Sequence, residues 1–227
     1  MIIPPNRLTK GEKLTALLYL PVHLLLLPMA VAAAFGKRGM DEGTMNFLVY
    51  AVGAVFLLAA LGRMFRRDFD PLCDHLGTVI FQVLGCYLIT MGVNTLLSLL
   101  LMQITGEMNP NNEAVAAVTA QNTGAMTATA VFLAPIVEET MFRAGVFGTL
   151  RDKNRVAAYA VSMVSFALFH VLGYALENPI YLLYLLQYLP VSYLLCRCYE
   201  ESGTIWTPIF LHMLINAVSM GAMEALT

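Results

Sequence analysis

Seven runs of about twenty mostly apolar residues, at 14–35, 46–65, 78–102, 123–147, 155–176, 179–198 and 205–226, dominate this 227-residue chain. About 20 such residues are what an α-helix needs to cross the hydrocarbon core of a bilayer. Within lipid every backbone polar group must find its partner inside the protein, which a helix achieves by itself. The chain is therefore expected to be all-α, a polytopic transmembrane helical bundle of about seven spans, with six to eight as the range. Only 12% of its residues are charged, about half of what a soluble domain carries. The net charge of −2, with no basic stripe interleaved with aromatics, argues against a nucleic-acid partner.

The first run follows Arg7, Lys10 and Lys13 and ends near Ala32-Ala33-Ala34, in the manner of a signal peptide. Its length exceeds the roughly 7–15 residues of a secretory apolar segment, so it reads as a first membrane helix that stays attached. Charge and turn residues fall in the links, such as Gly36–Gly39 and Arg66–Pro71. The longest link, 105–122, is expected to hold a short interfacial helix at 113–120 capped by Asn112. No repeat or linker divides the chain, so 1–227 reads as a single transmembrane domain. Ten Lys and Arg residues lie at the inner ends of the spans when the N-terminus is placed inside, against Lys37 and Arg38 at the outer ends. That asymmetry places the N-terminus in the cytoplasm and, with seven spans, the C-terminus outside. Cys73, Cys86, Cys196 and Cys198 lack the paired C-x2-C spacing of a zinc site and read as free thiols.

Ionisable groups inside a span are expensive, about 2.5–3.5 kcal/mol each on insertion scales. They concentrate in the second half of this chain: Glu138, Glu139 and Arg143 in the fourth run, His170 in the fifth, and His212, with the polar Asn216, in the seventh. Three helices carrying such groups are expected to share one polar cavity, among spans four, five and seven. Glu139 and Arg143 are four apart and lie on one helical face, in the favourable order for an ion pair. Glu138 projects about 100° away and is left for other work. Phe166 and His170 are four apart, as are His212 and Asn216. The latter pair presents two donors to one point, as an oxyanion site requires. A free glutamate beside a histidine can take a proton from water and return it to a leaving amine. Taken singly, His170 reads equally as a packing residue and Asn216 as interhelical glue; taken together, the three pairs point to a site. His23 and His75 lack comparable partners and receive no role.

Glu138-Glu139-x-x-x-Arg143, Phe166-x-x-x-His170 and His212-x-x-x-Asn216 resemble the three motifs of the CPBP family, the type II CAAX prenyl endopeptidases and their bacteriocin-processing or immunity relatives. The resemblance covers about 123–226, which is the expected catalytic core. It implies an intramembrane endopeptidase in which Glu138 and His170 activate water, His212 and Asn216 stabilise the oxyanion, and Glu139, Arg143 and Phe166 support the site. It implies hydrophobic or lipidated peptide or protein substrates, with prenylated C-terminal peptides as the founding ones, in a multi-pass membrane protein read here as bacterial. The family has also been described as metal-dependent, with Glu138, His170 and His212 as the candidate ligands of zinc or another divalent metal. No H-E-x-x-H occurs, and a site without metal or other cofactor is the preferred expectation. The alternatives are a non-catalytic peptide-binding or immunity protein and a proton-coupled carrier, for which Pro135 supplies a possible helix break. One tension stands: the drawn limits place His170 toward the outer side and Glu138 deeper, an offset approaching about 10 Å at 1.5 Å per residue.

Overall fold

The computed structural model describes residues 7–224, and every regular element among them is helical. Six helices are long and apolar enough to cross a membrane: α1 (Lys10–Phe35), α2 (Glu42–Ala60), α5 (Leu76–Thr105), α7 (Thr123–Leu150), α8 (Arg155–Glu177) and α9 (Pro179–Ser202). Short helices α3 (Gly62–Arg67) and α4 (Phe69–Asp74) link α2 to α5, and α6 (Pro110–Gln121) precedes α7. The last expected span is α10 (Trp206–Glu224); residues 225–226 of that expectation lie outside the described residues, as do 1–6 and 227 of the single-domain reading. Apolar residues such as Phe81, Leu88, Leu96 and Leu99 of α5 face outward, as lipid-facing surfaces do.

Helix α7 is the axis of the bundle. Of its most apolar stretch, 61% of residues are buried, against 17–39% for the other five helices. It packs on α1, α2, α8 and α10. Its approach to α1 is set by Gly145: a Cβ there would meet the backbone carbonyl carbon of Ala16 and the nitrogen of Leu17 at 3.1 Å each. Small residues that let backbones close up in this way are the usual currency of helix packing in membranes.

The helix ends that carry charge interlock at one end of the bundle. Arg67 of α3 pairs with Glu12 of α1 at 2.9 Å, Lys13 with Asp152 at 2.7 Å, and Arg155 with Glu200 at 2.8 Å. Tyr159 also donates to Glu200, at 2.7 Å. Asp68, between α3 and α4, accepts the Ile205 N–H at 3.0 Å, and its carbonyl accepts the Thr204 hydroxyl at 2.6 Å. The start of α1, the end of α2, the end of α7, the start of α8, the end of α9 and the start of α10 thus share one rim, the alternation that successive crossings require. Gly203, with φ +68°, turns the chain between α9 and α10.

Two local expectations are corrected. The short helix is capped by Asn109, whose side chain accepts the Asn111 N–H at 3.0 Å, and not by Asn112. Pro110 is the reason, since its fixed φ and missing N–H suit the first helical position. Helix α7 runs on to Leu150, three residues past the expected limit at 147, which at about 1.5 Å per residue removes nearly half of the offset drawn between Glu138 and His170.

Two measurements test this packing. Gly145→Ala forces α1 away from α7 and lowers the melting temperature in detergent, an overpacking penalty of about 1–3 kcal/mol. Burial pushes the Asp68 carboxyl up to about 6. Its unfolded value is about 3.9, so the folded state holds the proton more tightly. The stability contributed by this group is present below pH 4 and lost as pH rises through about 6. Asp68→Asn keeps an acceptor for Ile205 and flattens that part of a stability-against-pH profile.

Candidate active site

Helix α7 is interrupted twice by wider π-type turns, at Ala128–Leu133 and Thr140–Phe147, with Glu138 and Glu139 on the α-helical stretch between them. Such interruptions gather at functional positions. The first has an identifiable cause. Ala134 N–H donates to the Thr129 carbonyl five residues back; the next donor in that series is residue 135, a proline with no N–H. The Ala130 carbonyl left over accepts instead from Asn216 Nδ2 at 2.8 Å. One predicted site residue therefore ties α10 to the break in α7.

Glu139 and Arg143 form the expected pair, Oε2 to Nε at 3.0 Å, with both side chains fully buried. Glu139 Oε1 accepts from His212 Nδ1 at 2.8 Å. Arg143 also donates to Ser192 of α9 at 3.1 Å and lies 4.4 Å from the centre of the Phe166 ring. A desolvated cation–π contact of this kind is worth about 2 kcal/mol. Phe166 meets His170 at 4.5 Å and His212 at 5.9 Å between ring centres, so its ring adjoins Arg143 and both imidazoles.

Glu138 is turned away from that pair, as its place on the helix required. Its Oε1 accepts from the Tyr50 hydroxyl of α2 at 3.0 Å, and its Oε2 lies 3.6 Å from His170 Nε2. His170 Nδ1 is 2.9 Å from the Phe166 carbonyl. A carbonyl only accepts, so Nδ1 carries a proton and a neutral His170 presents a bare Nε2 to Glu138. Tyr188 stacks on the His170 ring, with 4.6 Å between ring centres. Two acceptors thus face one another across a gap just beyond hydrogen-bond distance.

These groups line a cavity of about 510 Å³. The expected spans four, five and seven contribute Glu138, His170, His212 and Asn216, but the walls also include Tyr50 of α2, Asn94 of α5, Asn112 of α6 and Tyr188 of α9. The cavity is therefore shared more widely than predicted. Tyr50 and Ser192 were not foreseen; neither has a charged residue within one turn on its own helix to draw attention. His23, given no role, is buried with Nδ1 3.3 Å from the Tyr19 hydroxyl and its ring 4.7 Å from that of Tyr50, behind the tyrosine that holds Glu138. All four cysteines are free, with the sulfurs of Cys86 and Cys198 3.4 Å apart.

Among the described residues no three His, Cys, Asp or Glu side chains stand together as a donor set for a metal ion. His212 Nδ1 is held by Glu139, which leaves its Nε2 for the cavity.

Removing the Tyr50 hydroxyl frees Glu138 to rotate while leaving the cavity walls in place. Tyr50→Phe is expected to lower kcat about tenfold, the equivalent of one charge-assisted hydrogen bond of about 1.4 kcal/mol. KM and the melting temperature stay unchanged, as steady-state kinetics and thermal unfolding on one preparation would report.

Residues 120–218 match the family model described as type II CAAX prenyl endopeptidase Rce1-like. No curated protein and no solved structure matches the chain. The matched segment holds α7, α8 and α9 and, in α10, both His212 and Asn216.

Proposed function

We propose, from the premise that residues 120–218 belong to the type II CAAX prenyl endopeptidase Rce1-like family, that this chain hydrolyses a peptide bond within the membrane with Glu138 as general base. The observation that carries the reading is the facing pair of Glu138 Oε2 and His170 Nε2 at 3.6 Å, set in a cavity that a peptide can enter. A water seated beside the pair, within reach of both atoms, offers one hydrogen to each acceptor, which aims its lone pair at a substrate carbonyl carbon. Glu138 takes the first proton as the oxygen attacks. It returns that proton to the leaving nitrogen as the C–N bond breaks, so that water and amide become acid and amine.

The negative charge formed on the carbonyl oxygen falls to α10. His212 Nδ1–H is held by Glu139, so a proton on its Nε2 makes an imidazolium that donates to the oxyanion with Glu139 as counter-ion. Asn216 spends one amide hydrogen on Ala130 and keeps the second for the same oxygen. Glu139, Arg143 and Phe166 set the position of His212.

The substrates proposed are hydrophobic or lipidated peptides presented from the bilayer. The rim rich in Arg and Lys faces the cytoplasm, in a multi-pass protein of a bacterial cell membrane with its N-terminus inside. The site is proposed to work without a metal.

A fluorogenic apolar or lipidated peptide in proteoliposomes tests the mechanism. Glu138→Gln and His170→Ala should each reduce kcat/KM by at least about 10², with melting temperatures near that of the wild type. Full activity in Glu138→Gln removes that residue from the mechanism. Loss of activity with a chelator and recovery with zinc would put a metal at the site. Peptide binding with no cleavage would favour the non-catalytic reading.

A further inference from the structure

One buried histidine near the site has no part in the hydrolysis. His23 lies against Tyr50, whose hydroxyl holds Glu138 Oε1 at 3.0 Å. Tyr50 lines two hollows at once, the catalytic cavity and an apolar one of about 370 Å³ between α1 and α2. A ring that borders open space on two sides has few packing atoms to stop it turning. In the apolar hollow its neighbour is His23, which lines that hollow and not the catalytic cavity. The two rings meet edge to face, 4.7 Å between centres and 69° between planes, an arrangement that aromatic pairs prefer.

His23 is held in its turn. Its Nδ1 lies 3.3 Å from the Tyr19 hydroxyl, one turn earlier on α1. A Cβ on residue 53 of α2 would meet that hydroxyl, and Gly53 has none. The Tyr19 ring also stacks on Phe56 of α2 at 5.3 Å. Tyr19 is thus seated on the same helix that carries Tyr50.

The backbone of α1 singles out the same position. It widens into a π-type turn at Val22–Leu26, where the Leu27 N–H donates to the Val22 carbonyl five residues back. The next residue is Pro28, which has no N–H to continue the series to His23. Helix α7 repeats this construction before Glu138, with Pro135 in the same place. Wide turns of this kind gather at functional positions. One here carries His23, the other leads to Glu138, and Tyr50 touches both residues.

We infer that His23 is a positioning residue for Glu138 that acts through Tyr50: its ring keeps the tyrosine hydroxyl on Oε1, so that Oε2 stays toward His170. This rests on the general-base reading of Glu138. It adds a residue of the first span, outside the segment 120–218 that matches the family.

Steady-state kinetics in proteoliposomes test the role with His23→Ala, His23→Phe, Tyr50→Phe and the double variant His23→Ala/Tyr50→Phe. His23→Ala should lower kcat by about three- to tenfold with KM unchanged, the ceiling being the loss expected for Tyr50→Phe. His23→Phe restores a ring and should recover most of that loss. The double variant should be no slower than Tyr50→Phe alone, because both changes break one chain of contacts. A wild-type kcat in His23→Ala, no recovery in His23→Phe, or losses that multiply in the double variant each overturn the proposal. His23→Ser takes the place of His23→Ala should that variant not fold.

A readout without turnover keeps this apart from the endopeptidase reading. With fluorotyrosine in place of Tyr50, Glu138→Gln should shift the fluorine NMR signal, because the hydroxyl rests on residue 138. The shift should vanish when His23→Ala is also present. A shift that survives His23→Ala, or none with His23 in place, overturns the proposal. Absence of peptide hydrolysis by the wild-type chain counts against the endopeptidase reading, while the fluorine comparison still decides the role of His23.

Discussion

The buried pair of Glu139 and Arg143 is the interaction on which the remaining geometry depends. Neither group has any exposure to solvent. A charge in such a place is tolerated only with an opposite charge and further polar partners. Those partners come from three other helices: Ser192 on α9, the Phe166 face on α8 and His212 on α10. Satisfying one ion pair therefore orients three helices about α7. It also separates the functions of two adjacent glutamates, because a helix turns about 100° per residue. Glu139 faces its counter-ion, and Glu138 faces the cavity.

Pro135 makes a second contribution through an absence. By withholding an N–H it leaves the Ala130 carbonyl open, and Asn216 fills that gap from α10. The wider turns on either side let α7 present consecutive carboxylates at its middle while its ends stay packed. A transporter would use a broken helix to bind an ion at exposed carbonyls. Here the freed carbonyl is occupied by a side chain of the site itself, so the break serves to register two helices.

Much of this was legible from the order of residues, for a physical reason. Pairs spaced i and i+4 face the same way on a helix whatever surrounds them, so Glu139 with Arg143, Phe166 with His170 and His212 with Asn216 announce shared faces before any packing is known. The apolar runs announce the spans equally well, because lipid imposes length and composition. What stayed hidden is tertiary. Tyr50 and Asn94 sit among apolar neighbours, and nothing within their own helices marks them as cavity residues. The amide clamp formed by hydrogen bonds of Gln187 with Asn109 and Ser98 joins three separate elements. The short helix before α7 was foreseen, but its cap was misplaced, since Asn109 and Asn112 both precede helix-forming residues and only Pro110 discriminates between them.

The charge of the site links these features. Glu138, Glu139 and Arg143 leave one negative charge in a space that lipid surrounds, and both imidazoles that could balance it have one nitrogen committed: His170 Nδ1 to the Phe166 carbonyl and His212 Nδ1 to Glu139. Those commitments decide which nitrogen of each ring faces the cavity. A histidine whose Nδ1–H is held by a carbonyl is left to accept at Nε2. Two identical side chains are thus fixed by different partners, one by a carbonyl and one by a carboxylate.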